Sequence, residues 1–402
     1  MQKLSKPVQL ALLFLFCRLM LVIAMPLEGL RGFGDLSFFF QQAGMGRPFL
    51  DYWAEYPPVF PFLSALLYHL SGGQEHVYDY MLVLVLSLCQ AASVALFARL
   101  EARFYNGEAG GRSWLFFALL LALPYGWWYF DPLAVLSLLL GLAWLLEGKA
   151  LPAGLAIAFG ILTKWFPGLL LAAAWRWLPP RRALVLTAAA LGIPLLVWGG
   201  FYLASPELTA ASLVSQAAKG SWETVWSLLD GNFNTGSFGA LAERVDPLTA
   251  VVARGNPARL PPLLTLAPFA LAGFILFLRS YPLNARQTTA FLGLAYTLFF
   301  LWSPGWSPQW VLYLLPLVLL ALPELQGRLA ACSLALVNLL EWPVLLSRGY
   351  FQGLLLTVPL RTLVIVFLAF LFYRIVTSSP DRAGTACEAD APVQDLINSR
   401  TG

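Results

Sequence analysis

The hydrophobic positions of this 402-residue chain form long apolar runs that are separated by short polar segments. A helix that crosses a bilayer needs about 20 predominantly apolar residues, with a range of roughly 17–25. The runs of about this length, together with some shorter ones, predict twelve membrane-spanning helices. Their approximate ranges are 8–26, 78–98, 113–129, 132–146, 151–163, 166–178, 183–204, 261–278, 288–302, 310–322, 329–346 and 354–373.

Two further apolar patterns are too short to cross a membrane. Residues 59–70 are apolar over only about twelve positions, which predicts an interfacial or re-entrant helix. Just before them, Leu36, Phe39, Phe40 and Ala43 follow the i, i+3, i+4, i+7 spacing of one helix face. This spacing predicts a short amphipathic helix on the membrane surface, with Asp35 at its N-cap.

These elements predict an all-α polytopic membrane protein with one membrane domain, residues 1–377. Its polar insertions are a first outer loop, residues 27–77, and a second long outer loop, residues 205–260. The polar residues 378–402 are predicted to form a disordered cytoplasmic tail. The first apolar run lacks a small-residue cleavage site, so we expect a retained span and not a removed signal peptide.

Composition agrees with this class. Hydrophobic residues make up 59% of the chain and charged residues 11%, which is outside the range of soluble domains and indicates a polytopic membrane protein. The cell membrane is its expected location. The net charge of +4 comes from scattered basic residues, so no nucleic-acid partner is expected. The two histidines and four cysteines have no spacing typical of a metal site.

The distribution of lysine and arginine predicts the orientation, because short cytoplasmic loops carry an excess of both. With the N-terminus in the cytoplasm, the short outer loops hold few basic residues: Arg31, Arg47, Lys164 and Arg348. Counting residues 59–70 as a span would instead export the basic cluster at 99–112. The first polar loop is therefore predicted to be extracytoplasmic.

This first loop contains a polar island, residues 31–58, with three carboxylates: Asp35, Asp51 and Glu55. Charged groups beside lipid are costly and mark functional sites by default. Asp131, Lys164 and the turn at 303–310 are predicted to lie on the same outer face. A functional site on that face is the main prediction from the residues themselves.

Several short motifs occur in a fixed order along the chain. Gly34-Asp35 follows the first span, an amphipathic segment comes next, and Tyr56-Pro57-Pro58 precedes the short apolar helix. The segments FDPLAVL (130–136), TKWFPGLLL (163–171) and SPQWVLYLLPL (307–317) come after them. Together these motifs resemble the GT-C superfamily of membrane glycosyltransferases. They look most like the branch that uses polyprenyl-phosphate-mannose, which includes phosphatidylinositol-mannoside mannosyltransferases and the first mannosyltransferase of GPI-anchor assembly. The resemblance covers most of the first 320 residues.

The resemblance implies a GT-C-like bundle and an inverting transfer of a sugar, with mannose expected, from a polyprenyl-phosphate donor to a lipid or glycan acceptor. It places the general base at Asp35; such a base typically contributes 10²–10⁴-fold in rate. Alternatively, Asp35 caps its helix, which is worth ~1 kcal/mol. A DxD motif is absent from the island, so no metal cofactor is predicted, although a divalent cation is not excluded.

The leaving phosphate needs cations or N–H donors around it. The predicted donor-binding residues are Lys164, Gln309, Arg31, Arg47 and Arg361. Lys164 could instead snorkel to the interface, and Gln309 could cap the helix that follows it. The alternative for Arg361 is a structural ion pair with Glu341, because charges inside a membrane usually pair.

The acceptor side is predicted from acidic and aromatic residues of the outer face. Asp51 and Glu55 could orient the acceptor, bind a cation or solvate the loop. Trp53, Tyr56 and Trp306 are the predicted sugar contacts.

The competing class is a polytopic lipid or sugar transporter or a flippase. Such a protein predicts a polar pathway through the membrane and, in many cases, an internal repeat. The sequence shows no clear repeat, and its charges cluster on one predicted face.

Overall fold

The computed structural model of the chain describes residues 4–105, 107, 110–279 and 283–378. The predicted tail therefore lies outside the described residues, apart from Ser378. Within the described part, the elements are helices, and the only strand-like features are two isolated bridges, Pro48–Tyr52 and Trp222–Gly305. The prediction of an all-α protein is confirmed.

The helices follow one another with short connections, except at residues 44–58, around residues 205–260 and at residues 340–353. In chain order they are α1 (Lys6–Ala24), α2 (Leu27–Arg31), α3 (Leu36–Ala43), α4 (Val59–Leu70), α5 (Glu75–Phe104), α6 (Gly111–Ala122), α7 (Tyr125–Trp128), α8 (Asp131–Leu146), α9 (Ala150–Thr163), α10 (Leu170–Trp177), α11 (Pro180–Ala204), α12 (Pro206–Ala218), α13 (Val225–Asp230), α14 (Pro262–Arg279), α15 (Ala285–Trp302), α16 (Val311–Ala321), α17 (Glu324–Leu339) and α18 (Leu354–Thr377). The two predicted short helices have the predicted bounds, as α3 and α4.

Six helices of the described part are long and apolar enough to cross a membrane: α1, α5, α11, α14, α17 with its extension to Arg348, and α18 with the turn before it. A membrane-embedded protein follows from these. The other predicted spans coincide with helices that do not meet this criterion, so the count of twelve stays a prediction.

Proline explains the main departures from the predicted spans. The segment predicted as one span over 113–129 is broken, because α6 ends at Ala122 and Leu123 is extended before Pro124. The residue before a proline is disfavoured in the helical region, so the helix stops there. Similarly, the segment predicted to begin at 166 starts with a 3-10 turn, Phe166–Leu169, that contains Pro167.

Burial separates a central helix from peripheral ones. Every residue of α16 is buried, and this helix packs against α15 and α17. By contrast, α14 has no buried residue, and leucines such as Leu203 and Leu263 are 86% and 79% exposed. Apolar surface of this extent is costly in water, and a surrounding hydrocarbon layer accounts for it.

Hydrogen bonds sort the helix termini into two groups. At one end, which we call the far end, Arg103 donates to the Leu146 carbonyl (2.8 Å), Tyr105 to the Leu320 carbonyl (2.7 Å) and Arg286 to the Ala321 carbonyl (2.7 Å). These bonds join the carboxyl ends of α5, α8 and α16 to the start of α15.

The opposite termini meet around the polar island, and we call this the island end. There the Asp35 N–H donates to the Trp128 carbonyl (3.2 Å), and the Trp222 N–H donates to the Pro304 carbonyl (3.2 Å). The island therefore contacts segments that are nearly 100 residues away, and residues 219–224 lie against the turn at 303–310.

Candidate functional site

Asp35 occupies the N-cap position of α3, as predicted, but its side chain makes no capping hydrogen bond. The capping alternative is therefore wrong for this carboxylate. The backbone before it is held against the end of α7, since the indole N–H groups of Trp127 and Trp128 both donate to the Leu30 carbonyl, at 3.2 and 3.0 Å. At Gly34 a side chain would run into the Trp128 indole. Glycine at 34 thus permits the close approach that fixes Asp35.

The surroundings of Asp35 favour its protonated form. The carboxyl is half-buried, and loss of hydration raises its pKa to about 7. Lys219 and Lys164 oppose this rise, while Glu55 and Asp131 add to it. A carboxylate with such a pKa can accept a proton near neutral pH, which is the property of a general base.

Lys219, which directly follows α12, lowers the pKa of Asp35. It was not predicted as a site residue. Its ammonium lies 4.3 Å from the Trp222 ring centroid and 5.2 Å from that of Phe238. Burial lowers its pKa, although Glu55 and Asp35 partly offset this. No motif in the sequence marks Lys219, because the carboxylates of Glu55 and Asp35 that affect it lie far away along the chain.

Glu55 is buried in an ion pair with Arg244 from the segment at residues 205–260. The Arg244 guanidinium also lies 4.8 Å from the Trp53 ring centroid. Trp53 is fully buried, and its indole N–H donates to Thr249 Oγ1 at 3.0 Å. Glu55 and Trp53 were predicted to contact the substrate. In this structure, they link the polar island to residues 205–260 through Arg244 and Thr249.

Lys164 and Asp131 form a second buried ion pair. The Lys164 Nζ lies 2.8 and 3.0 Å from the two carboxylate oxygens of Asp131, the first residue of α8. Aromatic rings of Phe130, Phe166 and Trp310 surround the ammonium. Lys164 is 8% exposed, so the snorkelling alternative is wrong, because an inward ion pair holds the side chain. Its predicted role in donor binding stays a prediction.

Two other predicted donor-binding residues, which are more exposed than Lys164, also pair with carboxylates. Arg31 lies 2.7 Å from Asp79 and 3.4 Å from Glu75, which ties α2 to the start of α5. Arg47 pairs with Asp51 at 3.1 Å on an exposed loop. The structure therefore does not bring Arg47 and Asp51 into the group around Asp35.

Arg361 lies in a separate cluster at the island end. It forms the ion pair with Glu341 that was the alternative prediction, and it also donates to the Glu223 carbonyl. Its guanidinium lies 4.6 Å from the Trp306 ring centroid. Trp306 is buried and donates to Asn338 Oδ1 at 3.0 Å. In this structure, Trp306 contacts protein groups.

Glu223 was not predicted from the sequence, although it is central to that cluster. It is buried, and its backbone has a φ of 53°, a conformation that non-glycine residues seldom adopt. Burial, with Glu341 nearby, raises its pKa to about 8. Glu223 also raises the pKa of Lys219, so the cluster around Arg361 and the groups around Asp35 are electrostatically linked.

Tyr56 and Gln309 are the remaining predicted site residues. Tyr56 is half-buried, its ring centroid is 4.7 Å from that of Phe130, and burial raises its pKa well above the ordinary value. Glu55 and Asp35 contribute to that rise, so Tyr56 belongs to the group around Asp35. Gln309 is 8% exposed, and its Oε1 has no hydrogen-bond partner among the described residues.

The structure thus brings together a set of polar groups from four separate parts of the chain. We call it the Asp35 group: Asp35, Glu55, Tyr56, Asp131, Lys164 and Lys219. Within the described ranges, no cluster of three or more His, Cys, Asp or Glu side chains is arranged to hold a metal ion. The group combines a base of suitable pKa with an ammonium and two neutralised ion pairs. No protein-family model matches the chain, and no curated protein is significantly similar to it.

Proposed function

We propose that the protein is an inverting glycosyltransferase that acts at the island end. It transfers a sugar, with mannose as the expected one, from a polyprenyl-phosphate donor to a hydroxyl of a lipid or glycan acceptor. The main support for this proposal is the state of the Asp35 carboxylate. It makes no helix-capping hydrogen bond, and burial raises its pKa to about 7. The order of motifs that resembles GT-C enzymes supplies the reaction class.

The reaction uses Asp35 as the general base. The acceptor oxygen attacks the anomeric carbon as the bond from that carbon to the phosphate oxygen breaks. The acceptor proton passes to Asp35, and the electron pair of the broken bond leaves with the polyprenyl phosphate. A base is most effective when its pKa lies near the working pH, and burial gives Asp35 that property.

The location of the group suits a lipid-linked donor. Its side chains come from helix termini and from the loops beside them, so they lie where a bilayer meets water if the twelve helices cross it. The phosphate of a donor anchored by its polyprenyl chain lies at the same depth. The arginine and lysine distribution supports placing the island end outside the cell membrane.

The orientation is tested at the exposed residue Asp51. A single cysteine introduced as Asp51→Cys, after removal of the native cysteines, is expected to react with a membrane-impermeant maleimide added to intact cells. Labelling that requires access from the cytoplasm would reverse the orientation and place the site on the other side.

The activity is tested with purified protein, a radiolabelled polyprenyl-phosphate sugar and a lipid extract as acceptor. We expect Asp35→Asn to reduce transfer by at least ~10²-fold, the low end for a lost general base. The matched control is Glu147→Gln, an exposed carboxylate paired with Lys149 at the far end, which should retain wild-type transfer.

The pH profile gives a second readout. Because the base must be deprotonated, wild-type transfer should increase as the pH rises through about 7. Asp35→Asn protein that transfers sugar at the wild-type rate would contradict the proposal. Movement of labelled lipid between leaflets, without any transfer by the wild-type protein, would instead support the transporter class.

A further inference from the structure

Basic side chains at the island end are mostly neutralised. Six of them form ion pairs with carboxylates: Arg31 with Asp79, Arg47 with Asp51, Lys164 with Asp131, Arg244 with Glu55, Arg254 with Glu243, and Arg361 with Glu341. Lys219 differs, because in the described part of the chain no carboxylate oxygen lies within 4.0 Å of its ammonium. Lys164 and Lys219 both lower the pKa of Asp35, and of these two lysines only Lys164 forms an ion pair.

The chain on both sides of Lys219 is held in place. Helix α12 ends at the preceding residue, and Gly220 has a φ of 75°, which turns the backbone sharply. The Ser221 N–H then donates to the Asn256 carbonyl at 3.1 Å, and the Trp306 N–H donates to the Trp222 carbonyl at 3.0 Å. The position of the Lys219 Cα is therefore fixed from two directions.

The side chain itself is also confined. Its aliphatic stem passes Gly236, where a Cβ would lie 2.6 Å from the Lys219 Cγ. The rings of Trp222 and Phe238 flank the ammonium. A cation held this way loses less freedom on binding an anion, which is how preorganisation improves affinity.

Lys219 and Asp35 lie near enough for each to affect the pKa of the other, but they form no ion pair, since the separation between ammonium and carboxylate exceeds 4.0 Å. A displacement at an anomeric carbon needs a base on the acceptor side and positive charge at the leaving group. Asp35 and Lys219 are one group of each kind in the same cluster.

We propose that Lys219 binds the phosphate of the lipid-linked donor and stabilises the charge that develops on it as the sugar leaves. The ligand class is a phosphate ester of a long isoprenoid alcohol. This inference rests on the proposed glycosyl transfer for its reaction, but the phosphate binding can be measured without it. A charge-assisted bond between ammonium and phosphate supplies the affinity.

The pH dependence follows from the groups around Lys219. Burial lowers its pKa, while Glu55, Asp35 and Glu223 raise it and Lys164 lowers it further. The ammonium therefore loses its proton at a lower pH than an ordinary lysine, and phosphate binding should fall as the pH rises through that pKa. An arginine at 219 stays charged, so Lys219→Arg should keep binding at high pH.

Binding is measured with farnesyl phosphate as the probe and with farnesol as its uncharged counterpart. We expect Lys219→Gln and Lys219→Ala to weaken farnesyl phosphate binding by at least ~10-fold, the loss of one bond to a charged group. Farnesol binding should not change. The control is Lys149→Ala, an exposed lysine at the far end, which should bind both probes as the wild type does.

Three outcomes would overturn the proposal. The first is wild-type affinity for farnesyl phosphate in both Lys219 variants. The second is an equal loss for farnesol, which would make Lys219 a packing residue. The third is equally tight, Lys219-dependent binding of inorganic phosphate, which would indicate a general anion site. Gly236→Val provides an independent check, because it displaces the lysine stem and should also weaken farnesyl phosphate binding.

This experiment separates the two proposals. If Lys219 governs farnesyl phosphate binding but no sugar is transferred, the proposed reaction fails and the phosphate site stands. If sugar is transferred but the Lys219 variants have wild-type KM for the donor, the reaction stands and the assignment of Lys219 fails.

Discussion

Two acidic residues near helix N-termini are used in opposite ways. At the far end, the Glu101 carboxylate accepts hydrogen bonds from the backbone N–H groups of Gly110, Arg112 and Ser113, at 3.0, 3.2 and 2.9 Å, at the start of α6. At the island end, Asp35 stands at the start of α3, and its carboxylate caps nothing. The first carboxylate stabilises a helix, whereas the second makes no capping bond and is the base in the proposed reaction.

The basic residues show the same contrast. Arg112 donates to the carbonyls of Leu319 and Leu322 at the end of α16 and lies 4.1 Å from the Tyr105 ring centroid. Free carbonyls at a helix end need such donors. Among the described residues, the Lys219 ammonium has no carboxylate oxygen within 4.0 Å, and the rings of Trp222 and Phe238 lie beside it. Arg112 at the far end thus binds helix carbonyls, whereas Lys219 at the island end has no ion-pair partner.

Within the island end, the buried ion pair of Lys164 and Asp131 should be the most costly to break. Asp131→Ala leaves the Lys164 ammonium buried without its partner, which typically costs about 3–5 kcal/mol. Thermal unfolding in detergent would show this as a large decrease in Tm. Asp51→Ala removes an exposed partner of Arg47 and should cost less than about 1 kcal/mol. Equal Tm values for the two variants would contradict the buried pair.

The second largest effect is expected at Glu101. Glutamine has one acceptor oxygen in place of two, so Glu101→Gln leaves at least one N–H at the start of α6 without an acceptor. This should lower the free energy of unfolding by about 1–3 kcal/mol. Transfer per folded molecule should stay unchanged, because Glu101 is at the far end. A loss of transfer without a loss of stability would contradict the division between the two ends.

The apolar pattern was sufficient for the helices. Helix α3 has the predicted bounds because its apolar positions repeat with the helical period, and α4 coincides with the short apolar run at residues 59–70. The predicted span at 113–129 was wrong in its interior, since Pro124 breaks it. Local rules therefore describe α-helices well and their interruptions less well.

The site was less accessible from sequence. Asp35 was identified from a local motif, but Lys219, which affects its pKa, lies far along the chain after α12. Likewise, the partner of Glu55 is Arg244, 189 residues away. No local rule gives such contacts. Lys164 was placed at the correct end, but its inward ion pair depends on Asp131, 33 residues away. Which charges form ion pairs depends on the tertiary structure. The same contacts therefore determine which basic side chains have no carboxylate partner.

The smallest expected effect, and the one with the opposite sign, is at Asp35. Its pKa is 3.8 in an ordinary environment and about 7 in the folded protein. Between these values the folded protein binds more protons than the unfolded chain, so its stability falls as the pH rises. Asp35→Asn removes this penalty and should be more stable than the wild type at pH 8, but not at pH 4.

The pKa difference corresponds to at most about 4 kcal/mol, and solvent at a half-buried carboxylate reduces it, so we expect a gain of about 1 kcal/mol. Thermal unfolding at the two pH values measures it. Asp35→Ala provides the control, because losing a true cap costs ~1 kcal/mol, whereas a side chain without a capping bond costs nothing of that kind. A less stable Asp35→Ala protein at pH 8 would mean that Asp35, like Glu101, serves its helix. A more stable Asp35→Ala protein would mean that the ionised Asp35 carboxylate destabilises the fold, as expected of a residue whose role is proton transfer.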